Sequence, residues 1–368
     1  MFDLTFWIAL AAWLIYTAII LFLISGLLQI KNKKRSPGAT VSVVVAARNE
    51  EQNLNRCLQA LLSQSYPKNR LQIILVDDRS TDGTAQIAHS FQKVHRNVEV
   101  ICTAEQPGKI SPKKYALMKG IKQANGTLIF TTDADCVPPP DWLSETVPLF
   151  QEDVGIVLGP APFYDHQNAW HKLLALDNLA ATVVSAGAAG WNVGVTCSGR
   201  NLAYRKQVFE LINGFQKFQH SLSGDDDLFL QEVNKQTSWR IAYSLNPDTM
   251  VPSAAAPSFS AFVKQRRRHV SASRYYSRRH QVGYLLFNLA NLYLFGFAMS
   301  AVISRTHLFA AAAFLGLKWG LDFLALFFLT HKLKQRHLLW WLPLWELFYL
   351  VNQVFISPLA FVGKIRWK

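Results

Sequence analysis

Leu128-Ile129-Phe130-Thr131-Thr132-Asp133-Ala134-Asp135 carries an apolar run straight into two carboxylates one residue apart. In a strand, alternate side chains share a face, so Asp133 and Asp135 can converge on one point just past the strand's end. Two hard oxygen donors there suit Mg²⁺ or Mn²⁺, which keep several waters and complete their shell with substrate phosphates. An Asp-x-Asp pair alone is a weak signal, because acidic turns are common. The weight falls on its surroundings.

Upstream, Val41-Ser42-Val43-Val44-Val45-Ala46 is a β-branched run ending at Ala47-Arg48-Asn49-Glu50. Leu54, Cys57, Leu58, Leu61 and Leu62 follow at helical spacing. A second strand, Leu71 to Val76, ends at Asp77-Asp78, and Ser80-Thr81-Asp82-Gly83-Thr84 opens a helix through Phe91, with Asp82 as its capping residue. Val98 to Cys102 reads as a third strand, Lys113 to Ala124 as a helix, and Leu128 to Thr132 as the strand feeding the paired Asp. Strands alternate with helices and are almost wholly apolar, as a parallel sheet covered on both faces requires. Ligands of such sheets bind at the carboxyl ends of the strands. Asn49-Glu50, Asp77-Asp78 and Asp133-Ala134-Asp135 all fall there, which predicts a nucleotide-type site.

Apolar segments flank this domain. One run of about twenty residues lies within Leu4 to Ile30, and Tyr284 to Phe361 is almost continuously apolar; both are long enough to cross a bilayer. The division predicted is 1–30 as a transmembrane anchor, 31–282 as a catalytic domain and 283–368 as a membrane domain. Lys31, Lys33, Lys34 and Arg35 follow the first run rather than precede it, and no Ala-x-Ala-like cleavage site is evident. That order predicts an uncleaved anchor with a cytoplasmic catalytic domain, in an integral protein of the cell (inner) membrane. Tyr284–Ser304 and Leu308–Thr330 read as a hairpin of two spans, with the basic segment 331–337 inside. A third full span would place Lys364, Arg366 and Lys368 outside, and the last stretch carries Glu346, Asn352, Gln353, Pro343 and Pro358. A re-entrant or interfacial element is therefore favoured there over a span. The apolar stretch Gly155–Ser198, with Trp170 and Trp191, reads either as core or as an amphipathic element lying on the bilayer.

Cys57, Cys102, Cys136 and Cys197 show neither paired nor metal-ligand spacing, so free thiols in a reducing compartment are expected. Lys and Arg outnumber Asp and Glu by 38 to 24, giving a formal charge of +14, and seven of the bases fall between Lys264 and Arg279. Anionic headgroups and a diphosphate substrate account for that cluster better than nucleic acid does.

Seven segments taken in order now carry a resemblance. They are Ala47-Arg48-Asn49-Glu50; Val76-Asp77-Asp78-Arg79-Ser80-Thr81-Asp82-Gly83-Thr84; Gly108-Lys109 with Lys113-Lys114-Tyr115-Ala116-Leu117; Asp133-Ala134-Asp135; Gly199-Arg200-Asn201-Leu202-Ala203-Tyr204-Arg205; Gly224-Asp225-Asp226-Asp227-Leu228; and Gln265-Arg266-Arg267-Arg268-His269. Together they resemble the membrane-bound family 2 glycosyltransferases of GT-A fold, a group that includes cellulose and hyaluronan synthases, dolichyl-phosphate sugar synthases and ceramide glucosyltransferases. The resemblance runs from Val41 to about Tyr276. It implies an α/β GT-A domain with a mainly parallel sheet, flanked by N- and C-terminal transmembrane helices.

It also implies roles. Asn49, Glu50, Asp77, Asp78, Lys113, Asp133, Gln265 and Arg268 would bind the nucleotide sugar, a UDP-sugar being expected, with Lys109 a weaker candidate. A carboxylate at Asp77 or Asp78 would accept the imide N–H of uracil, although guanine offers a similar ring N–H. Asp135 would be the direct metal ligand, with Asp133 towards the nucleotide. Asp225-Asp226 matches the family's Glu-Asp element, whose second acid takes the acceptor's proton. Aligning on Leu228 instead makes Asp225 the base, and Asp226 is preferred. Crowding of like charges raises at least one pKa, which suits that role. Gln265 and Arg268 match Gln-x-x-Arg-Trp, an arginine being suited to the departing diphosphate. His269 stands in the tryptophan's place, which weakens a processive reading.

The expected reaction is inverting transfer of a sugar to a membrane lipid or lipid-linked acceptor. A processive polysaccharide synthase and a non-catalytic nucleotide-sugar-binding membrane subunit are the alternatives. Lys318 and Asp322, spaced i,i+4 in the hairpin, read as a neutralising intrahelical pair.

Overall fold

The computed structural model describes residues 3–30, 38–105, 108, 110–164 and 168–363. The basic flank 31–35, Lys109 and the basic residues 364–368 lie outside the described residues. A long helix, α1 (Leu4–Gln29), precedes the middle domain. Then come β1 (Val41–Ala47), α2 (Leu54–Leu62), β2 (Leu71–Asp77), α3 (Thr84–Val94), β3 (Val98–Cys102), α4 (Pro112–Gln123) and β4 (Leu128–Asp133). These agree with the sequence reading to within a few residues at each end. Next are α5 (Trp142–Thr146), β5 (Val154–Leu158), β6 (Phe163–Tyr164), α6 (Ala169–Gly190), β7 (Leu202–Arg205) and α7 (Lys206–Leu211). The domain closes with α8 (Asp227–Gln236), β8 (Arg240–Tyr243), β9 (Ser253–Ala254) and α9 (Phe259–Ser271). α10 (Arg278–Ser304), α11 (Leu308–Lys332) and α12 (Leu342–Val351) complete the chain.

The main sheet has the order β3-β2-β1-β4-β7-β5-β8. β7 runs antiparallel to both β4 and β5, and every other pairing in it is parallel. Period-two alternation splits its residues between two cores. Val44, Ile74 and Ile129 face the side shared with α6 and α1, whereas Val43, Val45, Ile73 and Phe130 face α2 and Trp142. Burial on both faces explains why these strands lack the polar alternation of a one-sided sheet.

Among the described residues, five helical stretches are long and apolar enough to cross a membrane: Leu4–Gln29, Ala169–Gly190, Arg278–Ser304, Leu308–Lys332 and Arg336–Phe361. α6 belongs to the interior more than to a surface. It packs against α1, α11 and α12, and its N-terminal Trp170 stacks edge-on against Phe262 and Phe348. Glycines bring α1 and α6 together: a Cβ on Gly187 would lie 2.5 Å from Leu23 O. Trp191 Nε1 donates to Phe22 O at 3.1 Å beside that contact. Gly187→Val should therefore force the helices apart, with an expected loss of about 1–3 kcal/mol, read as lower thermal stability in detergent.

Two sequence readings change here. Part of the basic cluster read as facing anionic headgroups and a diphosphate is tied to protein instead: Arg266 pairs with Asp177, Arg267 donates to Leu359 O and Val362 O, and Arg274 donates to Ala360 O. The open carbonyls at the end of an irregular helix need donors, and Arg267 and Arg274 supply them. The Lys318–Asp322 pair forms at 2.8 Å, but it is not confined to one helix, because Glu346 and Tyr16 join it.

Candidate active site

The register pairs Ala46 with Asp133 and Ala47 with Asp77, so the carboxyl ends of β1, β2 and β4 finish level. Left-handed backbone at Asn49 (φ 53°) and Arg79 (φ 56°) turns the chain away from the sheet just beyond. Asn can adopt that conformation at low cost. Asn49 Oδ1 accepts from Thr81 N at 2.9 Å and its own N–H donates to Ser80 Oγ, so Asn49 braces one strand-end turn against the next. It does not line the cavity, whereas its neighbour Glu50 does.

Asp77 and Asp78 part company. Asp78 lines the cavity and accepts from Arg79 at 2.9 and 3.1 Å and from Thr103 Oγ1 at 3.1 Å. Asp77 is buried beneath it with Oδ1 lacking a hydrogen-bond partner. Asp82 does the capping expected of it, accepting from Thr84 N at 3.0 Å and Glu51 N at 3.2 Å.

Lys113 is the hinge of the charge arrangement. Its Nζ lies 2.9 Å from Asp133 Oδ1 and 2.9 Å from Asp225 Oδ2, joining the paired-Asp turn to the triple-Asp loop. Burial alone would lower its pKa, but the surrounding carboxylates outweigh that and keep it charged. Burial would likewise raise Asp133 and Asp225, yet Lys113 holds both below the usual range. Asp135 goes the other way: burial and then the charge of Asp133 push its pKa up. Its only side-chain hydrogen bond, among the described residues, is the weak one from Cys136 Sγ at 3.6 Å. Two adjacent carboxylates with one under-compensated charge fit a hard divalent cation, with further oxygens coming from substrate.

Gly224 (φ 84°) turns the chain into Asp225, and Asp226 sits at the start of α8 with Oδ1 accepting from Asp227 N and Oδ2 from Gly199 N, both at 2.8 Å. Burial, then the charges of Asp227 and Asp225, push the Asp226 carboxyl up to about 7. A Cβ on Gly199 would stand 3.3 Å from Oδ2 of both Asp225 and Asp226, so the two acids converge on space that glycine leaves open. Asp227 faces elsewhere, accepting from Thr196 Oγ1, Cys197 N and the Tyr276 hydroxyl.

Glu50, Asp78, Lys113, Asp133, Asp135 and Asp225 to Asp227, with Gln265, Arg268 and His269 of α9, line one continuous cavity of about 2100 Å³ that also extends between α1, α10 and α11. Two supporting residues were not assigned from sequence. Arg200, whose charge lowers both Asp133 and Asp135, is fixed by Ala161 O at 2.6 Å and by Ser253 Oγ. Lys114, fully buried, donates to Ser221 O at 2.6 Å and Ser223 O at 2.8 Å and so holds the loop ahead of Asp225. An arginine within the Gly-Arg-Asn segment was a visible signal for the first. Nothing in sequence separates Lys114 from Lys113 except helix phase.

Acids gathered at the carboxyl edge of a mainly parallel sheet, in a cavity that opens among apolar helices, define a GT-A-like α/β transferase. Residues 37–272 match the family described as Glycosyltransferase like family 2, and the chain belongs to it: it is a glycosyltransferase. Among curated relatives, glycosyltransferase AglE of Haloferax volcanii is 30% identical over 186 residues, 50% of this chain and 58% of that protein. The beta-monoglucosyldiacylglycerol synthase of Synechocystis sp. is 33% identical over 114 residues, 31% of this chain and 23% of that protein. These matches span under two thirds of either relative's length. Among solved structures, the mannosyltransferase PcManGT from Pyrobaculum calidifontis, in complex with GDP-Man and Mn²⁺, superposes with a TM-score of 0.60 at 19% identity, covering 94% of this chain and 99% of that one.

Proposed function

We propose that this protein transfers a sugar, with inversion, from a nucleotide-diphosphate sugar to a membrane lipid or lipid-linked acceptor at the cytoplasmic membrane face. A UDP-sugar is the expected donor. The observation that carries this reading is the single cavity joining the strand-end acids to the space between apolar helices. A soluble acceptor needs no such continuation. The diacylglycerol-lipid synthase among the relatives supports the same class of acceptor.

In this mechanism Asp78, Glu50 and Lys113 hold the nucleotide diphosphate. Asp135 and Asp133 would hold Mg²⁺ or Mn²⁺, which when bound neutralises charge developing on the leaving diphosphate. Gln265 and Arg268 close on the same phosphates from α9. Asp226, near neutrality in pKa, takes the acceptor's hydroxyl proton as the oxygen attacks the anomeric carbon, and a single displacement inverts its configuration. The hairpin α10–α11 spans the bilayer in this reading. The segment 336–361 re-enters, since it leaves α11 at Lys332 and its end is tied to α9 by Arg267 and to the turn after α9 by Arg274.

The test is a screen of radiolabelled UDP- and GDP-sugars on membranes containing the protein, with product partitioned between organic and aqueous phases. Label is expected in the organic phase. Label found only in soluble oligosaccharide, or in a long insoluble polymer, would overturn the lipid-acceptor reading.

A further inference from the structure

Beyond the arginine-rich helix the cavity continues to a polar cluster that sugar transfer does not use. Lys318 Nζ donates to Asp322 Oδ2 at 2.8 Å and to Glu346 Oε2 at 2.6 Å, and the Tyr16 hydroxyl donates to Asp322 Oδ1 at 2.5 Å. Three helices, α1, α11 and α12, contribute. All four side chains line the cavity, and Lys318 and Glu346 are each 1% exposed. Ionisable groups at such depth in an apolar bundle are expensive, and they tend to mark a path or a binding site.

A brace between helices would explain the ion pairs but not what they leave unmet. Glu346 Oε1 has no hydrogen-bond partner, and neither has Asn352 Oδ1, on another cavity-lining residue that is 1% exposed. A buried acceptor left unsatisfied is costly, and native proteins keep few of them. Asn352 also opens a π-helical turn, Asn352–Ile356, directly after α12. Such turns recur at functional sites, and irregular backbone at membrane depth is tolerated where it lines a cavity. The two unmet atoms are both oxygens that can accept a hydrogen bond. What completes it must donate hydrogen bonds.

We propose that this inner end of the cavity, walled by Tyr16, Lys318, Asp322, Glu346 and Asn352, is a second subsite that binds an uncharged, hydroxyl-bearing group of the acceptor lipid. The proposal rests on the lipid-acceptor reading and narrows it. The unmet oxygens call for donors, so lipids bearing free hydroxyls are selected over phosphate-terminated ones, whose ionised oxygens only accept. Arg268 of α9 then serves the donor's diphosphate rather than an acceptor phosphate.

The test reconstitutes the full chain in phosphatidylcholine vesicles carrying dioleoylglycerol, a monoglucosyl dioleoylglycerol or decaprenyl phosphate, with the sugar donor found in the screen. Asn352→Leu and Glu346→Gln should each raise the KM for a hydroxyl-bearing lipid about five- to tenfold, the scale of one hydrogen bond. The donor KM should stay within about twofold, since neither residue touches the donor. Lipid labelling by wild type with unchanged acceptor KM in both variants, even with lowered thermal stability, would reduce the cluster to a brace and overturn the subsite alone. Preferential labelling of decaprenyl phosphate would overturn it too. If wild type labels no lipid and the sugar appears in soluble product, the lipid-acceptor reading itself fails, and this inference with it.

Discussion

Asp135→Ala is expected to reduce metal-dependent transfer at least about a hundredfold, the scale of losing a main electrostatic stabiliser of the transition state. Asp135 has little local compensation: Lys113 is committed to Asp133 and Asp225, while among the described residues only Cys136 Sγ donates to Asp135. Fold and membrane insertion should survive, and stability should hold or rise. A carboxyl whose pKa is raised in the fold costs stability where it is ionised, and that cost fades as pH falls through its folded pKa. Removing it at neutral pH relieves the repulsion with Asp133. Mn²⁺ titration in the presence of UDP separates this from general damage: Asp135→Ala should lose Mn²⁺ binding and keep its unfolding temperature. Unchanged turnover of the variant in detergent, with any nucleotide sugar, would take the metal site out of the mechanism.

The strands and helices from Val41 to Asp133 were legible because their signals are local. A short β-branched apolar run, a leucine every three or four residues and a Ser-Thr-Asp-Gly cap each act within a few residues. The convergence of Asn49-Glu50, Asp77-Asp78 and Asp133-Asp135 followed from topology alone, since parallel strands finish at one edge. Which member of each pair faces the cavity did not follow. Asp78 rather than Asp77, and Glu50 rather than Asn49, are selected by the left-handed turns at Arg79 and Asn49, and sequence does not spell out that detail of backbone direction. Partners distant in sequence were invisible for a different reason. Tyr16 meets Asp322 across 306 positions, and Lys318 meets Glu346 only because α11 and α12 both pack on α6. A pair spaced i,i+4 satisfies itself on paper, so nothing in the sequence asks for a third and fourth member.

Asp226→Asn is expected to lower turnover by about 10²–10⁴-fold, the usual contribution of a positioned general base, with donor affinity intact. Asp225→Asn should do less to turnover and more to donor binding. The two neighbours were pushed apart by their surroundings: Lys113 holds Asp225 as a carboxylate, whereas burial and like charge bring Asp226 to about 7. Divergent pKa values in adjacent acids are how a site separates a fixed charge from a proton acceptor. The sign of the pH dependence follows. A base must be deprotonated to act, so kcat/KM of the wild type should fall as pH drops below about 7, with one proton taken up, and level off above it. Asp226→Asn should flatten that limb, because an amide does not titrate. Asp225→Asn should keep the limb but move it. Asp225 both adds negative charge beside Asp226 and occupies Lys113, and removing it weakens one cause of the raised value while freeing the ammonium to face Asp226, so the limb should shift to lower pH. The measurement is the pH profile of kcat/KM for all three proteins in detergent, with UDP affinity measured alongside. A larger loss in Asp225→Asn, with the limb abolished there and retained in Asp226→Asn, would hand the base role to Asp225. Asp226 would then be the residue that, through Gly199 N and Asp227 N, fixes the start of α8.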